Sequence, residues 1–369
     1  MSDAARTAPA LGEELRLTRG PAWRNRVALA PLTNLQSNAD GTLSDDEHAW
    51  LVARGRGGFG LTLSCASHVS RAGQAWPGQL ASAEDRHLPG LTRLADDLRA
   101  TGTVSSVQLH HGGLRSDPDV SGVPNLAPWA DPAKRTEALT TEQVEQVVAD
   151  FVAGAVRAER AGFDGVELHG AHGYLLCQFL DARHNHRTDR YGGSLENRLR
   201  IFHEVLDGIR AATGPDFQLG LRLTPEGNGI VLPEGRAIAR ELLATGHLDY
   251  LDMSLWDVFA SPRGSEVVAG HEGDLLIDHF TDLPRHGAAL GVAGRIRSAA
   301  DARWALERGA DFVSVGIGAI LHHDWAARAV ADPDFEPRPQ PVTREELAAE
   351  SVSPGFAEYL SRGWQGLVA

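Results

Sequence analysis

The 369-residue chain is expected to fold as a single (β/α)8 barrel, an α/β protein of the TIM type. Two observations carry that expectation. Eight short apolar runs recur along the chain, each bounded by Gly, Pro, Asp or Ser, and most are apolar on both faces, as a fully buried parallel strand must be. Amphipathic stretches separate them, and parallel strands need such crossover connections. Closing eight strands on themselves then removes the sheet edges.

The strand runs are RVALAPL (26–32), GLTLSCA (60–66), TVSSVQL (103–109), GVELH (165–169), QLGLRL (218–223), DYLDMS (249–254), AALGVAG (288–294) and DFVSVG (311–316). The helical patterns between them are LPGLTRLADDLRA, TEQVEQVVADFVAGAVRAERAG, NRLRIFHEVLDGIRAATG, LPEGRAIARELLATG and SAADARWALERGA. Several close on Gly, a common helix terminator. DLLIDHFTDLPRH, after the sixth strand, is the weakest of them. Residues 1–20 are polar and are expected to wrap the barrel loosely; the barrel is taken as 21–335. PRPQP at 337–341 breaks any helix and leads into an extension, 336–369, with further helical segments.

Bulk composition excludes several classes. A net charge of −14 opposes binding to nucleic acid or to an anionic membrane surface, since both need a basic footprint. Two cysteines, Cys65 and Cys177, cannot build a disulfide framework, a four-cysteine zinc site or a four-cysteine iron–sulfur cluster. The N-terminus lacks the apolar core of a signal peptide, and no apolar run is long enough to span a bilayer. A cytoplasmic protein is expected, and a homo-oligomer stays open.

Catalytic groups of this fold follow the C-terminal ends of strands. The fourth strand runs into ELHGAHGYLLCQFL (167–180), with His169 and His172 three residues apart and Tyr174 two further on. Three readings compete. The histidines could merely pack. They could bind a metal with His110 and His111, although no HxH follows the first strand, where PLTN stands instead. Or two imidazole N–H groups could clamp a carbonyl oxygen while Tyr174 delivers a proton to a nearby carbon.

The stretch AGFDGVELHGAHGYLLCQFLDARHNHRTDRYGGSLENRLR, together with VALAPLT (27–33), PGQLA (77–81) and VQLHHGG (107–113), resembles the Old Yellow Enzyme family of FMN-dependent ene-reductases over about residues 25–330. The resemblance implies FMN across the barrel mouth, with no metal. Pro31, Thr33, Ala66, Gln108, Arg222, Gly294, Arg295, Gly316 and Ile317 are the cofactor-binding positions it implies. Thr33 would lie near the flavin C4 carbonyl, Ala66 would offer backbone contact, Gln108 would pair with the pyrimidine edge, and Arg222 would stabilise negative charge at N1 and O2. An ion pair of Arg222 with Glu167 on the adjacent strand is the structural alternative.

The implied reaction is ping-pong. NADH or NADPH reduces FMN, and an α,β-unsaturated carbonyl compound follows. His169 and His172 hold its oxygen, N5 delivers hydride to the β-carbon, and Tyr174 protonates the α-carbon. Ser194 in the RTDRYGGSLENR stretch is read as a helix cap within a scaffold that anchors the loop after Tyr174.

Three departures from the family pattern stand out. Ile317 occupies the place of a phosphate-binding arginine, Leu114 stands where arginine is common with Arg115 next to it, and FLDARHNH replaces a proline-containing pattern. Arg295, directly after Gly294, is expected to supply the missing cation from the neighbouring strand. A metal-dependent barrel hydrolase or aldolase and a non-catalytic flavin-binding protein are the rival functions.

Overall fold

Eight parallel strands appear in the computed structural model of the chain, which describes residues 8–264, 266 and 268–369. They are β1 (Val27–Leu29), β2 (Leu61–Leu63), β3 (Val104–His110), β4 (Gly165–Gly170), β5 (Gln218–Leu223), β6 (Tyr250–Ser254), β7 (Ala289–Ala293) and β8 (Phe312–Val315). Each strand pairs with the next in chain order. β8 returns to β1, with Val313 opposite Val27, so the barrel is closed. Each strand overlaps an apolar run expected from the sequence.

The helices on the outside are α1 (Asp45–Arg56), α2 (Leu88–Arg99), α3 (Thr141–Ala161), α4 (Leu195–Ala212), α5 (Leu232–Ala244), α6 (Asp278–Thr281), α7 (Ala299–Glu307) and α8 (Trp325–Ala331). Their ends follow local chemistry. Thr140 and Gln143 form a reciprocal capping box at the start of α3, and left-handed Gly162 ends it. Ser194 caps α4 by accepting from the Asn197 N–H at 3.2 Å, as its place in the sequence suggests. The weak pattern after β6 shrinks to the single turn of α6. No helix among the described residues is long and apolar enough to cross a membrane.

The N-terminal segment differs from the loose wrap expected of it. Leu15 and Trp23 exchange two backbone hydrogen bonds of 2.9 Å and fold the segment into a hairpin against the bottom of the barrel. Trp23 is wholly buried, with its ring edge-on to Tyr250 at 5.3 Å and to Phe312 at 5.0 Å. Its indole N–H donates to Gln218 Oε1 at 3.1 Å. Apolar residues are too sparse here to read as a strand, because the surface they cover is made by β5, β6 and β8. Room for the aromatic plug comes from interior glycines. A Cβ on Gly220 would stand 2.0 Å from the Tyr250 ring, and one on Gly291 would stand 2.1 Å from Phe312.

The C-terminal extension also packs closely. Helices α9 (Arg344–Ala349) and α10 (Pro354–Gly363) lie against α1, where Phe356 meets Trp50 edge-on at 5.1 Å. Arg54 is fully buried at this junction, with its guanidinium 3.2 Å from the Trp50 ring centroid. It donates to the carbonyls of Trp50, Ala319 and Glu350, at 3.1, 2.9 and 2.7 Å. One cation thereby ties α1, the end of β8 and the extension together.

Trp23→Ala is expected to lower unfolding free energy by about 3–5 kcal/mol, the usual range for emptying a large aromatic site. Gly220→Ala should also destabilise, by overpacking against Tyr250. Urea unfolding followed by far-UV circular dichroism measures both. A Trp23→Ala midpoint equal to wild type would show that the hairpin is not an integral floor.

Candidate active site at the barrel mouth

His169 lies one residue before the end of β4 and points into the barrel mouth, almost fully buried. Its Nδ1 accepts from the Ala171 N–H at 3.3 Å, which leaves Nε2 to carry the proton. The chain then turns sharply. Gly170 cannot bear a side chain, since a Cβ would stand 2.8 Å from the Phe202 ring. His172 adopts φ 61°, an uncommon conformation for a non-glycine residue. Its N–H donates to Thr224 Oγ1 at 2.8 Å, and its Nε2 shares a 2.7 Å hydrogen bond with Ser254 Oγ. Those two contacts from β5 and β6 hold a turn that the backbone alone would disfavour.

Tyr174 follows as the N-cap of a short helix, Leu175–Leu180. Its ring is edge-on to His110 at 4.4 Å and to His169 at 5.1 Å, and the His169 and His172 rings are 5.0 Å apart. So the structure brings His169, His172 and Tyr174 together. The Tyr174 hydroxyl makes no hydrogen bond to another described residue. The scaffold expected of RTDRYGGSLENR is present too: Arg198 donates to the Leu180 carbonyl, and Asn185 Nδ2 donates to Phe179 O at 2.7 Å.

The imidazoles are neutral. Burial holds His169 well below the usual imidazole range, helped by His172 and Arg222. Burial likewise holds His172 down to about 3, with Arg222 adding repulsion. Of the two histidines at the end of β3, His110 joins the ring cluster, 4.4 Å from Tyr174 and 5.3 Å from His169, with its Nδ1 3.0 Å from Gln79 Nε2; His111 follows, and its Nδ1 accepts from Gly113 N at 3.1 Å. Among the described residues no group of three or more His, Cys, Asp or Glu side chains is placed to share a metal ion.

Beneath the rings lies a buried polar floor. Gln108 Nε2 donates to Glu167 Oε1 at 2.7 Å. Arg222 does not pair with Glu167, the partner considered from sequence; its nearest carboxylate is Asp252, with NH1 to Oδ2 at 3.4 Å. Asp252 is held by the Ser314 hydroxyl at 2.7 Å. Burial and the charge of Asp252 push the Glu167 carboxyl upward, while Arg222 and Gln108 oppose the shift. Arg222 Nε is buried without a hydrogen-bond partner. A buried cation with a spare donor is costly unless an acceptor fills the gap. The pyrimidine edge of FMN carries such acceptors, so the residues present fit that cofactor.

The remaining positions expected to hold the cofactor follow the C-terminal ends of the strands. Pro31, Thr33 and Ala66 follow β1 and β2. Next to Thr33, Asn34 is buried and donates from Nδ2 to Cys65 Sγ at 2.7 Å. Glu47 of α1 takes the Ser37 hydroxyl, and burial pushes its carboxyl up to about 6. Gly294 ends β7 with φ 142°, where a Cβ would stand 2.6 Å from the Trp256 carbonyl carbon. Gly316 leads into the five-residue helix Ile317–Leu321, and Ile317 packs on the core. Arg295 has φ 55°, is 68% exposed at its side chain and pairs with Asp257 Oδ2 at 3.3 Å.

Sequence reading passed over several neighbours. Ser254 ends the sixth strand and Trp256 follows it, and reading the end of that strand would have found them. Trp256 is 53% exposed, its ring 5.1 Å from His172. Gln79 lies within PGQLA, a stretch the resemblance covers without assigning it a role, while Trp76 and Thr224 come from loops and carry no pattern that would place them here.

The profile of the NADH:flavin oxidoreductase / NADH oxidase family matches residues 20–332. A probable NADH-dependent flavin oxidoreductase, YqiG, of Bacillus subtilis is 34% identical over 329 residues, covering 86% of this chain and 87% of that protein. Some other curated relatives are longer, and the chain spans only 33–48% of them. The structure of morphinone reductase with tetrahydroNAD is similar at a TM-score of 0.76 and 28% identity, over 92% of this chain and 94% of that one. An Old Yellow Enzyme homologue from Zymomonas mobilis shares the fold at a TM-score of 0.79 and 24% identity, over 95% and 99% of the two chains. The match across the barrel places the chain in the NADH:flavin oxidoreductase / NADH oxidase family, that of Old Yellow Enzyme, as an FMN-dependent NAD(P)H oxidoreductase.

Proposed function

We propose that the chain is an ene-reductase acting on α,β-unsaturated carbonyl compounds. The observation that carries this reading is the packing of His169, His172 and Tyr174 into one ring cluster over the buried Arg222 floor. Bound FMN supplies a two-electron carrier that takes hydride from NAD(P)H and returns it to the β-carbon of the alkene.

The chain's own groups do the rest. Gln108 and Arg222 would hold the pyrimidine edge, with the spare Nε–H of Arg222 available to negative charge there. Thr33 and Pro31, after β1, and Ala66, after β2, would add a hydroxyl and backbone contacts. His169 donates from Nε2 to the substrate oxygen. His172 joins it through whichever nitrogen Ser254 leaves free, and both act as neutral donors. Tyr174 gives its proton to the α-carbon and regains it from solvent. Backbone amides at Gly294, Gly316 and Ile317 would receive the phosphate. Arg295, which pairs with Asp257, would supply a cation there.

Holoenzyme with NADPH should reduce cyclohex-2-enone, and Tyr174→Phe should leave flavin reduction by NADPH nearly intact while slowing reoxidation by the enone ~10²–10⁴-fold. Stopped-flow absorbance resolves the two half-reactions; equal slowing of both would remove Tyr174 from the proton-donor role.

The buried neutral histidines also set a pH response. An imidazole held below its unfolded value near 6.5 contributes stability that is present above that value and lost as pH falls toward the folded one. His169 and His172 should each cost on the order of 2 kcal/mol by pH 5. Unfolding free energy measured from pH 7 to 5 should fall accordingly. The slope should lessen in a variant with both replaced by Asn, and an unchanged slope would mean that folding leaves their titration unshifted.

Arg295→Ala is expected to loosen FMN about tenfold, with added FMN restoring melting temperature by mass action. Equal FMN dissociation constants for variant and wild type would leave the phosphate to backbone amides alone.

A further inference from the structure

A cleft of about 470 Å³ opens on the outer side of the loop that presents Tyr174, with Gly173 and Gln178 in its wall. Three cationic side chains border it: Arg115, Lys134 and Arg183. Arg115 joins the cleft to the active site, since its guanidinium lies 4.8 Å from the Tyr174 ring centroid and donates to the His172 carbonyl. None of the three has a carboxylate at ion-pair distance among the described residues.

The carboxylates of the cleft are already engaged. Asp181 accepts from the N–H groups of Arg183 and His184 at 2.8 and 3.1 Å, and its other oxygen meets His184 Nδ1 at 2.8 Å. Asp131 caps the turn at Ala133 N, at 3.1 Å. Trp129 stacks on His184, with ring centroids 5.5 Å apart, and gives the cleft a flat wall. The surrounding charge makes the arrangement unusual. The chain carries 49 acidic residues against 35 Lys and Arg, and most arginines elsewhere stand on a carboxylate. Three cations against the two carboxylates Asp131 and Asp181 leave the cleft net positive on a chain that is net negative, and an incoming anion relieves that excess.

We propose that this cleft binds an oxyanion group, a carboxylate or phosphate, carried by a reactant whose other end sits at Tyr174. The assignment rests on the ene-reductase reading for the alkene and on NAD(P)H oxidation for the dinucleotide, since either reactant could bring the anion. Lys134 and Arg183 are the specificity residues. Both are exposed and neither touches the histidines or Tyr174, so neutral reactants should not sense their loss.

The test compares wild-type holoenzyme with Lys134→Ala/Arg183→Ala in both half-reactions. Flavin reduction is followed with NADH and with uncharged 1-benzyl-1,4-dihydronicotinamide, and reoxidation with a carboxyalkyl-tailed cyclohexenone and its methyl ester. The expected result is a KM rise of about tenfold for one anionic reactant, shrinking at high salt, with its uncharged counterpart unchanged. The affected reactant names the source of the anion. Wild-type KM values for both anionic reactants in the variant would overturn the proposal, as would equal losses for charged and uncharged reactants. If NADH is oxidised but no enone is reduced, the ene-reductase reading fails alone, and the NADH comparison then decides the cleft.

Discussion

All eight strands run the same way, and that constraint organises everything else in the molecule. A closed parallel barrel gathers every strand's C-terminal end on one rim, so residues far apart in the chain meet without long-range loops. His169, Arg222, Ser254 and Gly294 come from four successive strands, yet they surround one space. The same closure leaves an opposite rim that must be sealed. The hairpin around Trp23 does so, which frees the upper rim to carry polar groups that a hydrophobic core would reject.

The polar groups at the mouth solve a burial problem together. Gln108, Glu167, Arg222 and Asp252 lie deep inside the barrel, where an unpaired charge is expensive. Glu167 leans on Gln108, and Asp252 on Ser314 and Arg222. What remains is a buried guanidinium with donors to spare. An acceptor-rich ring would satisfy those donors. Above this polar floor, burial favours the neutral form of the imidazoles, which keeps a second cation away from Arg222.

Control of the outer site lies in the loops. The short helix after Tyr174 is pinned at its far end by Arg198, and the turn before it by Thr224 and Ser254. Those supports come from α4, β5 and β6, so the tyrosine is set by rigid elements rather than by its own loop. The cationic cleft beside it is built from the β3–α3 insertion and the 181–184 turn, the parts of a barrel freest to change without disturbing the strands.

Much of this was legible in the residues. Buried parallel strands read as apolar runs, and the helix caps at Thr140 and Ser194 are local chemistry, so barrel class and element order follow from sequence alone. The spacing His169, His172, Tyr174 marked a turn whose rings do cluster, because all three lie within one short segment. What needed the tertiary structure was each partner drawn from a distant strand. That Arg222 stands on Asp252 rather than Glu167 depends on side-chain reach across the barrel. That Ser254 holds His172, and that Trp23 seals the floor, depends on register between strands far apart in the chain. No periodicity encodes such contacts, because they arise from closure of the barrel and not from any one segment.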